Sequence, residues 1–436
     1  MSYKVYFQTL GCKVNSYETA AIAKLLAQEG FTETEDAGSA DVYVINTCAV
    51  TGEADRKSRQ MIRRAKRLAP QAIVVAMGCH TQMCKDDEGA DIVVGTDDRP
   101  AMIPLLLKKL ELKASGDEIE DLDAGTRFFE YGSVNYQENT RAVVKIEDGC
   151  NNFCSYCIIP YSRGRVRSRS REAILSEIRD MADKGYREFV ITGIHLCSFE
   201  KELGRDSIAL GELLEEISRI DGVRRIRLGS LEPSCMTPEL IEKMKAIPAI
   251  CPHFHLSLQS GSDSVLKRMN RKYDTDLFRK VASDLRSAFP NASLTTDMIC
   301  GFPGETEEEH RESCAFAEEI GFTHIHVFPF SPREGTKAWN MDGKIDGSVK
   351  SRRTAELREI SDRMENARAE EFVGKTVEVL IEQELEDGTW EGYCKEYIRV
   401  IVSSDAALHA GRIVKVNINE TRGFSVVGTA FPEKTV

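Results

Sequence analysis

Cys150, Cys154 and Cys157 stand close together in the run GCNNFCSYCIIPYSRG, spaced C-x3-C-x2-C. Thiolates are soft ligands that select iron-sulfur clusters or zinc over hard cations. A 4Fe-4S cube takes four thiolates, so a set of three leaves one iron open to an exchangeable ligand. A structural zinc knuckle uses similar spacings but closes its tetrahedron with a fourth Cys or His nearby. The next histidine along the chain, His195, is too distant for a compact knuckle. The spacing therefore favours a cluster whose free iron binds a small cofactor.

Three more cysteines each end an apolar, β-branched run: YKVYFQTLGC at Cys12, ADVYVINTC at Cys48 and AIVVAMGC at Cys79. Helical patterns lie between them, one with Ile22, Leu25 and Leu26 on a single face, the other a basic stretch from Glu53 to Leu68. Strands alternating with helices predict an α/β domain with a parallel sheet and right-handed crossovers. The loops after such strands emerge together at the carboxyl edge, so Cys12, Cys48 and Cys79 are predicted to converge there. Single cysteines are often merely buried, but three at equivalent strand ends argue for a second ligand set. Cys84, in the segment after Cys79, reads as packing.

Beyond residue 140, six β-like runs alternate with helical ones: AVVKIEDG, REFVITGIH, RRIRLGS, HFHLSLQS, SLTTDMIC and HIHVFPF. This predicts an incomplete βα barrel, a partial (βα)6 unit, with the C-x3-C-x2-C loop at the carboxyl end of its first strand, where such folds do chemistry. The last 60 or so residues change to short strands with glycine turns, predicting a small β-barrel of oligonucleotide-binding character. The predicted domains are 1–112, 141–372 and 373–436, with an acidic linker at 113–140.

The chain has 436 residues, a net charge of −12 and thirteen cysteines. An odd number of cysteines in so long a chain argues against a disulfide scaffold. No run reaches the ~18 apolar residues of a membrane span, and the start lacks a signal-peptide layout. The expectation is a cytoplasmic protein with no membrane partner. Overall acidity does not suggest nucleic-acid binding, so that role must rest on local clusters. RKSRQMIRRAKR, with Arg63, Arg64 and Arg67, would make a positive helical stripe. SRGRVRSRSR places Arg163, Arg165, Arg167, Arg169 and Arg171 at every second position, which in extended chain forms a one-sided comb for phosphates. Trp390, Tyr393 and Tyr397 are candidates for stacking on unpaired bases. Cys197, Cys235, Cys251, Cys300, Cys314 and Cys394 read as packing, and His253, His255, His324 and His326 as satisfied polar core in preference to a metal site.

The C-x3-C-x2-C motif, with Tyr156 before its third cysteine, resembles the signature of the radical S-adenosylmethionine enzymes. TLGCKVNSYET, NTCAVTGEADRKSR and MGCHTQ resemble the N-terminal domain of the methylthiotransferases, and the C-terminal strands resemble a TRAM domain. TLGCKVNSYE is similar to the branch acting on threonylcarbamoyladenosine in transfer RNA, where the isopentenyladenosine branch usually reads YGCQMN. The resemblance implies two 4Fe-4S clusters, one on Cys150, Cys154 and Cys157 and one on Cys12, Cys48 and Cys79, with S-adenosylmethionine as cofactor. It implies cofactor contacts from Thr192, Gly193, Ser230, Gln259, Asp297 and Gly301, and from Tyr156 beside the cluster. RNA contacts are expected from Arg63, Arg64, Arg67, Arg165 and Arg167. The implied reaction adds a methylthio group at carbon 2 of the adenine. That C–H bond has no acidity for a side-chain base to exploit, so radical chemistry must come from the cofactor. The implied partners are the anticodon stem-loop, an electron donor and a sulfur source, the last two named by no residue. Isopentenyladenosine in transfer RNA and a ribosomal-protein side chain stay open as substrates. So does a non-catalytic iron-sulfur RNA-binding protein.

Overall fold

The computed structural model describes residues 3–84, 89–96, 99–112, 130–132, 134, 140–404 and 407–431. The predicted linker lies almost wholly outside them. The chain forms two compact units, one of 1–136, 145–173 and 331–339, the other of 137–144, 174–330 and 340–436.

In the first unit, β1 (Lys4–Thr9), β2 (Thr32–Glu33), β3 (Val42–Thr47), β4 (Ile73–Gly78) and β5 (Ile92–Val94) form a parallel sheet in the order β2-β1-β3-β4-β5. Helices α1 (Lys13–Gln28), α2 (Gly52–Leu68), α3 (Cys79–Met83) and α4 (Met102–Leu112) connect or follow these strands. Every residue of β3 and β4 is buried, which is why these runs are continuously apolar until their ends. Helix α2 starts at Thr51, whose hydroxyl accepts from Ala54 N–H. Glu53 and Asp55 in its first turn and Lys66 and Arg67 in its last complement its dipole.

The chain continues through β6 (Arg141–Lys145), β7 (Glu147–Asp148), α5 (Ile159–Ser162), β8 (Arg167–Ser168) and α6 (Arg171–Asp183). The second unit then alternates β9 (Glu188–Thr192), α7 (Ile208–Ser218), β10 (Arg225–Leu228), β11 (Ser230–Leu231), α8 (Pro238–Lys245) and β12 (His253–Leu256). It goes on through α9 (Asp263–Arg268), α10 (Thr275–Ala288), β13 (Ser293–Cys300), α11 (Glu307–Ile320), β14 (His324–Pro329) and α12 (Gly347–Glu370). The six predicted runs are all strands. They stand in the order β6-β9-β10 and β11-β12-β13-β14, the third run breaking at Gly229 into its two pieces. β9 and β10 are parallel, and so are the successive pairs from β11 to β14.

Strands β15 (Thr376–Glu384), β16 (Trp390–Cys394), β17 (Arg399–Ser403), β18 (Ile413–Arg422) and β19 (Ser425–Ala430) close a barrel around Val379, Ile381, Val400, Val402, Val416 and Val426. Trp390 packs against that core. The barrel docks on the outer face of β9 and β10 through two buried arginines. Arg225 donates to the carbonyls of Tyr393 (3.2 Å) and Glu378 (2.8 Å), and Arg227 to those of Lys395 (3.0 Å) and Cys394 (3.2 Å). Glu188 neutralises both, at 3.3 and 2.7 Å. Tyr397 stacks on His253 (4.7 Å) and Tyr393 (4.9 Å), with the Arg227 guanidinium 4.6 Å from its ring centre. Tyr393 and Tyr397, candidates for base stacking, are half-buried and engaged in this docking contact. Tyr rings with cations on their faces fill such an interface well.

Replacing Glu188 by Ala strands two buried guanidinium groups, which typically costs about 3–5 kcal/mol. Calorimetry should show a clearly lowered unfolding transition for Glu188→Ala. Arg219→Ala, which removes an exposed pair with Glu215, should leave it nearly unmoved.

Candidate active site

Cys12, Cys48 and Cys79 follow β1, β3 and β4, three neighbouring strands, at the carboxyl edge of the sheet. The chain around them is tightly built. Gly78, just before Cys79, has φ +114, and a Cβ there would lie 2.6 Å from the Thr47 carbonyl and from Asn46 Oδ1. Gly11, before Cys12, has φ +108, and a Cβ would meet Cys48 Sγ at 3.1 Å. Only glycine suits such positions. Cys48 is fixed from α2: Ser58 Oγ lies 3.1 Å from both its N–H and its carbonyl. Burial pushes the Cys48 thiol up to about 11, with Cys79 and Cys12 adding to the rise. Burial also raises Cys79, while Arg163 and Arg99 pull it down.

Arg163 is the centre of this unit. Fully buried, it donates from Nε to Cys79 Sγ (3.2 Å), from Nη1 to Glu18 (3.0 Å) and Asp148 (3.1 Å), and from Nη2 to Asn15 (2.6 Å). Lys145 bridges the same carboxylates at 2.7 and 2.6 Å, and Arg99 reaches Glu18 at 2.9 Å. Glu18 is held down to about 2 because these three cations outweigh its burial. Asn15 and Glu18 lie on α1, which starts at Cys12. Asp148 and Arg163 flank the C-x3-C-x2-C loop. One charge cluster therefore fixes both cysteine triads within one unit. Of these polar residues only Arg163 was singled out from the sequence, as part of the comb, and its role here was not, because the spacing of its partners along the chain follows no motif.

Asp55 on α2 receives His80 Nδ1 (2.6 Å) and Arg333 (3.1 Å), which hold it at about 2 against the burial that raises it. His80 is thus a buried strut between α3 and α2. Cys84 ends α3 and is exposed, so it is not the packing residue expected.

The arginine comb does not form. The left-handed Gly164 (φ +72) breaks the extended path, Arg171 already belongs to α6, and only Arg167 and Ser168 are strand. Arg163 and Arg169 are buried, the latter against Glu130. Arg167 donates to the Arg163 carbonyl (2.9 Å) and lies 3.7 Å from Asp148. Arg165 is exposed, its guanidinium 4.4 Å from the Phe153 ring centre. On α2, Lys57 pairs with Glu53 and Arg59 with Asp55. Arg63, Arg64 and Arg67 are exposed, have no carboxylate partner among the described residues, and line an open depression with Lys57, Gln60 and Met61.

In the second unit, Thr192 and Gly193 close β9, Ser230 opens β11, and Gly301 (φ +76) follows β13, all at strand ends. Gln259, beyond β12, sits in the left-handed region (φ 71) with its N–H on the Asp297 carbonyl at 2.8 Å. That conformation is costly for a residue with a Cβ and persists only where surroundings impose it. Asp297 lies within β13, its carboxylate 3.3 Å from His255 Nε2. Glu232, not anticipated from the sequence, is buried beside these ends and held at about 2 by His195 and Arg271. Cys197 is buried, as read from the sequence, whereas Cys235 is only half-buried. Cys197, and behind it His195, draws the Cys235 thiol down to about 6.

Three family models match this chain: "Uncharacterized protein family UPF0004" at residues 4–95, "Radical SAM superfamily" at 144–317 and "TRAM domain" at 370–431. The threonylcarbamoyladenosine tRNA methylthiotransferase MtaB of Bacillus subtilis is 39% identical over 95% of this chain and 93% of its own length. The chain belongs to the radical S-adenosylmethionine methylthiotransferase family. Another member, the tRNA-2-methylthio-N(6)-dimethylallyladenosine synthase of Acetivibrio thermocellus, is 32% identical over 98% of this chain and 91% of its own. The radical S-adenosylmethionine methyltransferase TsrM of Kitasatospora setae shares the fold, with TM-score 0.55, 15% identity and coverage of 75% of this chain and 73% of its own. The cofactors of a methylthiotransferase are two 4Fe-4S clusters and S-adenosylmethionine.

The donor sets fit those clusters. Thiolates on one tetrahedral zinc lie about 3.8 Å apart, from bonds of ~2.3 Å. Among the described residues, neither cysteine triad brings all three thiols within 4.8 Å of one another, whereas a four-iron cube spreads its ligands over separate irons. Metal binding would also remove the protons that burial favours on Cys48 and Cys79.

Two outcomes follow for the charge cluster. Arg163→Met should lower iron and acid-labile sulfide bound after anaerobic reconstitution, and destabilise the protein by about 3–5 kcal/mol because Glu18 and Asp148 lose their main partner. The pH dependence has a definite sign. Because Glu18 is lowered from 4.5 to about 2, its contribution is full above pH ~4.5 and lost as pH falls toward 2. The Tm gap between wild-type apoprotein and Glu18→Gln should accordingly be wide at pH 7 and narrow through that window.

Proposed function

We propose that this methylthiotransferase modifies carbon 2 of threonylcarbamoyladenosine beside the anticodon of transfer RNA, in the cytoplasm. The observation that carries the reading is the pair of three-thiol sets fixed by one buried charge cluster. It is supported by near full-length similarity to proteins named for that activity. Cys150, Cys154 and Cys157 would hold the cluster that binds S-adenosylmethionine, and Cys12, Cys48 and Cys79 the auxiliary cluster. Together these groups supply radical hydrogen abstraction and a sulfur for transfer when bound.

The protein's own work is positional. Arg163, Asp148 and Glu18 hold the two ligand loops. Thr192, Gly193, Ser230, Gln259 and Gly301 are proposed to cradle the cofactor with strand-end hydroxyl, amide and backbone groups, beside Tyr156 of the cysteine loop. Arg63, Arg64 and Arg67 supply unpaired charge for phosphates, joined by Arg165; Arg167, engaged by Asp148, orders its loop instead. Anticodon-loop bases are already partly splayed, so exposing one costs little.

Anaerobic turnover with S-adenosylmethionine, a strong reductant and transfer RNA bearing threonylcarbamoyladenosine, read by nucleoside mass spectrometry, tests the reading. A methylthio product that vanishes in Cys150→Ala and in Cys12→Ala is expected. Product only from isopentenyladenosine transfer RNA would overturn the substrate. For RNA binding, the triple change of Arg63, Arg64 and Arg67 to Ala should weaken affinity across all transfer RNAs. It should also flatten the slope of log K against log salt by roughly 2–3.

A further inference from the structure

The neighbouring strands β12, β13 and β14 carry a group the proposed reaction does not use. In the parallel register, His255 stands opposite Thr295, Thr295 opposite His324, and Asp297 opposite His326. A period of two puts all five side chains on one face of the sheet. One ligand atom each from His255, Asp297 and His326 lie within 4.8 Å of one another, the one such trio of His, Cys, Asp or Glu among the described residues.

We propose that His255, Asp297 and His326 bind a single borderline divalent metal ion, of the zinc class, with a coordination position left open. Three observations carry this. The first is distance: His255 Nε2 and Asp297 Oδ2 are 3.3 Å apart. That is long for a charge-assisted hydrogen bond, which runs about 2.7–2.9 Å. It matches the separation of two ligands on one tetrahedral zinc, about 3.3 Å from bonds of ~2.0–2.1 Å.

The second is support for the ligands. Metal-binding histidines have their other ring nitrogen held by a hydrogen-bonding partner. His255 Nδ1 meets Thr295 Oγ1 at 3.1 Å, which leaves Nε2 for the ion. His326 Nδ1 meets His324 Nε2 at 3.2 Å, and His324 Nδ1 is in turn 2.8 Å from Glu365. The chain from carboxylate through two imidazoles orients His326 and directs its Nε2 away from His324.

The third is charge. Asp297, Glu365 and Asp362 all act on the His324 and His326 pair. Three carboxylates gathered around these rings disfavour an anion, so the site suits a cation and not a phosphate or carboxylate. His326 is exposed and Asp297 half-buried, so an ion here is reachable from solvent. Two nitrogens and one oxygen favour zinc or ferrous iron over calcium or magnesium. Asp297 then serves the ion and not S-adenosylmethionine, the role the family resemblance suggested.

The test uses reconstituted full-length holoenzyme, treated with chelator and dialysed anaerobically against micromolar zinc. Zinc per chain is measured by mass spectrometry of the metal, and its surroundings by X-ray absorption. One zinc per chain with only nitrogen and oxygen neighbours at ~2.0–2.1 Å is expected. The double change His255→Ala with His326→Ala should lose it while keeping the iron content, and His324→Ala should bind roughly 10–100-fold more weakly. Absence of bound zinc, sulfur neighbours at ~2.3 Å, or zinc retained by the double variant would overturn the proposal. The absorption measurement on wild type decides even if a variant fails to fold.

Discussion

A guanidinium with no access to water must be ringed by acceptors, and in this protein that requirement organises the reactive unit. Arg163 is fully buried, and every direction in which it donates is filled by a residue tied to a cysteine. Asn15 and Glu18 sit within two turns of Cys12, Asp148 lies two residues before Cys150, and Cys79 is itself an acceptor. A displaced loop would leave a buried charge unmatched, a loss of several kcal/mol. The cluster is thus worth more as a specification than as net stability. Its desolvation cost largely offsets its attraction, but it admits few alternative arrangements of the two triads.

The same device recurs where the C-terminal barrel meets β9 and β10. There Glu188 neutralises two arginines whose remaining donors read the backbone carbonyls of Glu378, Tyr393, Cys394 and Lys395. Arginine suits this because its fork carries five donors in a fixed plane. Carbonyls at a strand end cannot be replaced by mutation, so the docking depends on barrel backbone geometry more than on barrel side chains. Tyr393 and Tyr397 take part in sealing this contact.

What was legible in the sequence was whatever leaves a local pattern. Runs of buried β-branched residues ending at Cys12, Cys48 and Cys79 announce parallel strands and their common edge. The recurring Gly-Cys pairs at 11–12, 78–79 and 149–150 mark crowded left-handed turns, each with positive φ at the glycine. The arginine comb misled because periodicity two carries meaning only in extended chain, and here Gly164 turns left-handed and Arg171 is helical. The contacts of Glu18, Arg99, Lys145 and Arg163 were illegible for a different reason. Their partners are set by the fold, and no spacing along the chain records pairs as distant as Arg99 with Glu18 or Arg163 with Cys79. The histidines on β12 and β14 were visible as alternation, but their convergence on Asp297 depends on strand register.

Charge placement links this architecture to its substrate. A chain of net charge −12 repels a polyanion from most directions, so binding is confined to where cations lack partners. On α2 the first two turns are neutralised by Glu53 and Asp55, while Arg63, Arg64 and Arg67 are left open. Ser58, which grips Cys48, lies on the same helix, with Arg63 and Arg67 about 8 and 14 Å further along its axis at 1.5 Å per residue. Phosphate contacts of this kind position a nucleic acid without reading it. Because one rigid helix carries both the anchor of Cys48 and these open arginines, any phosphate held there would lie at a fixed distance from that cysteine.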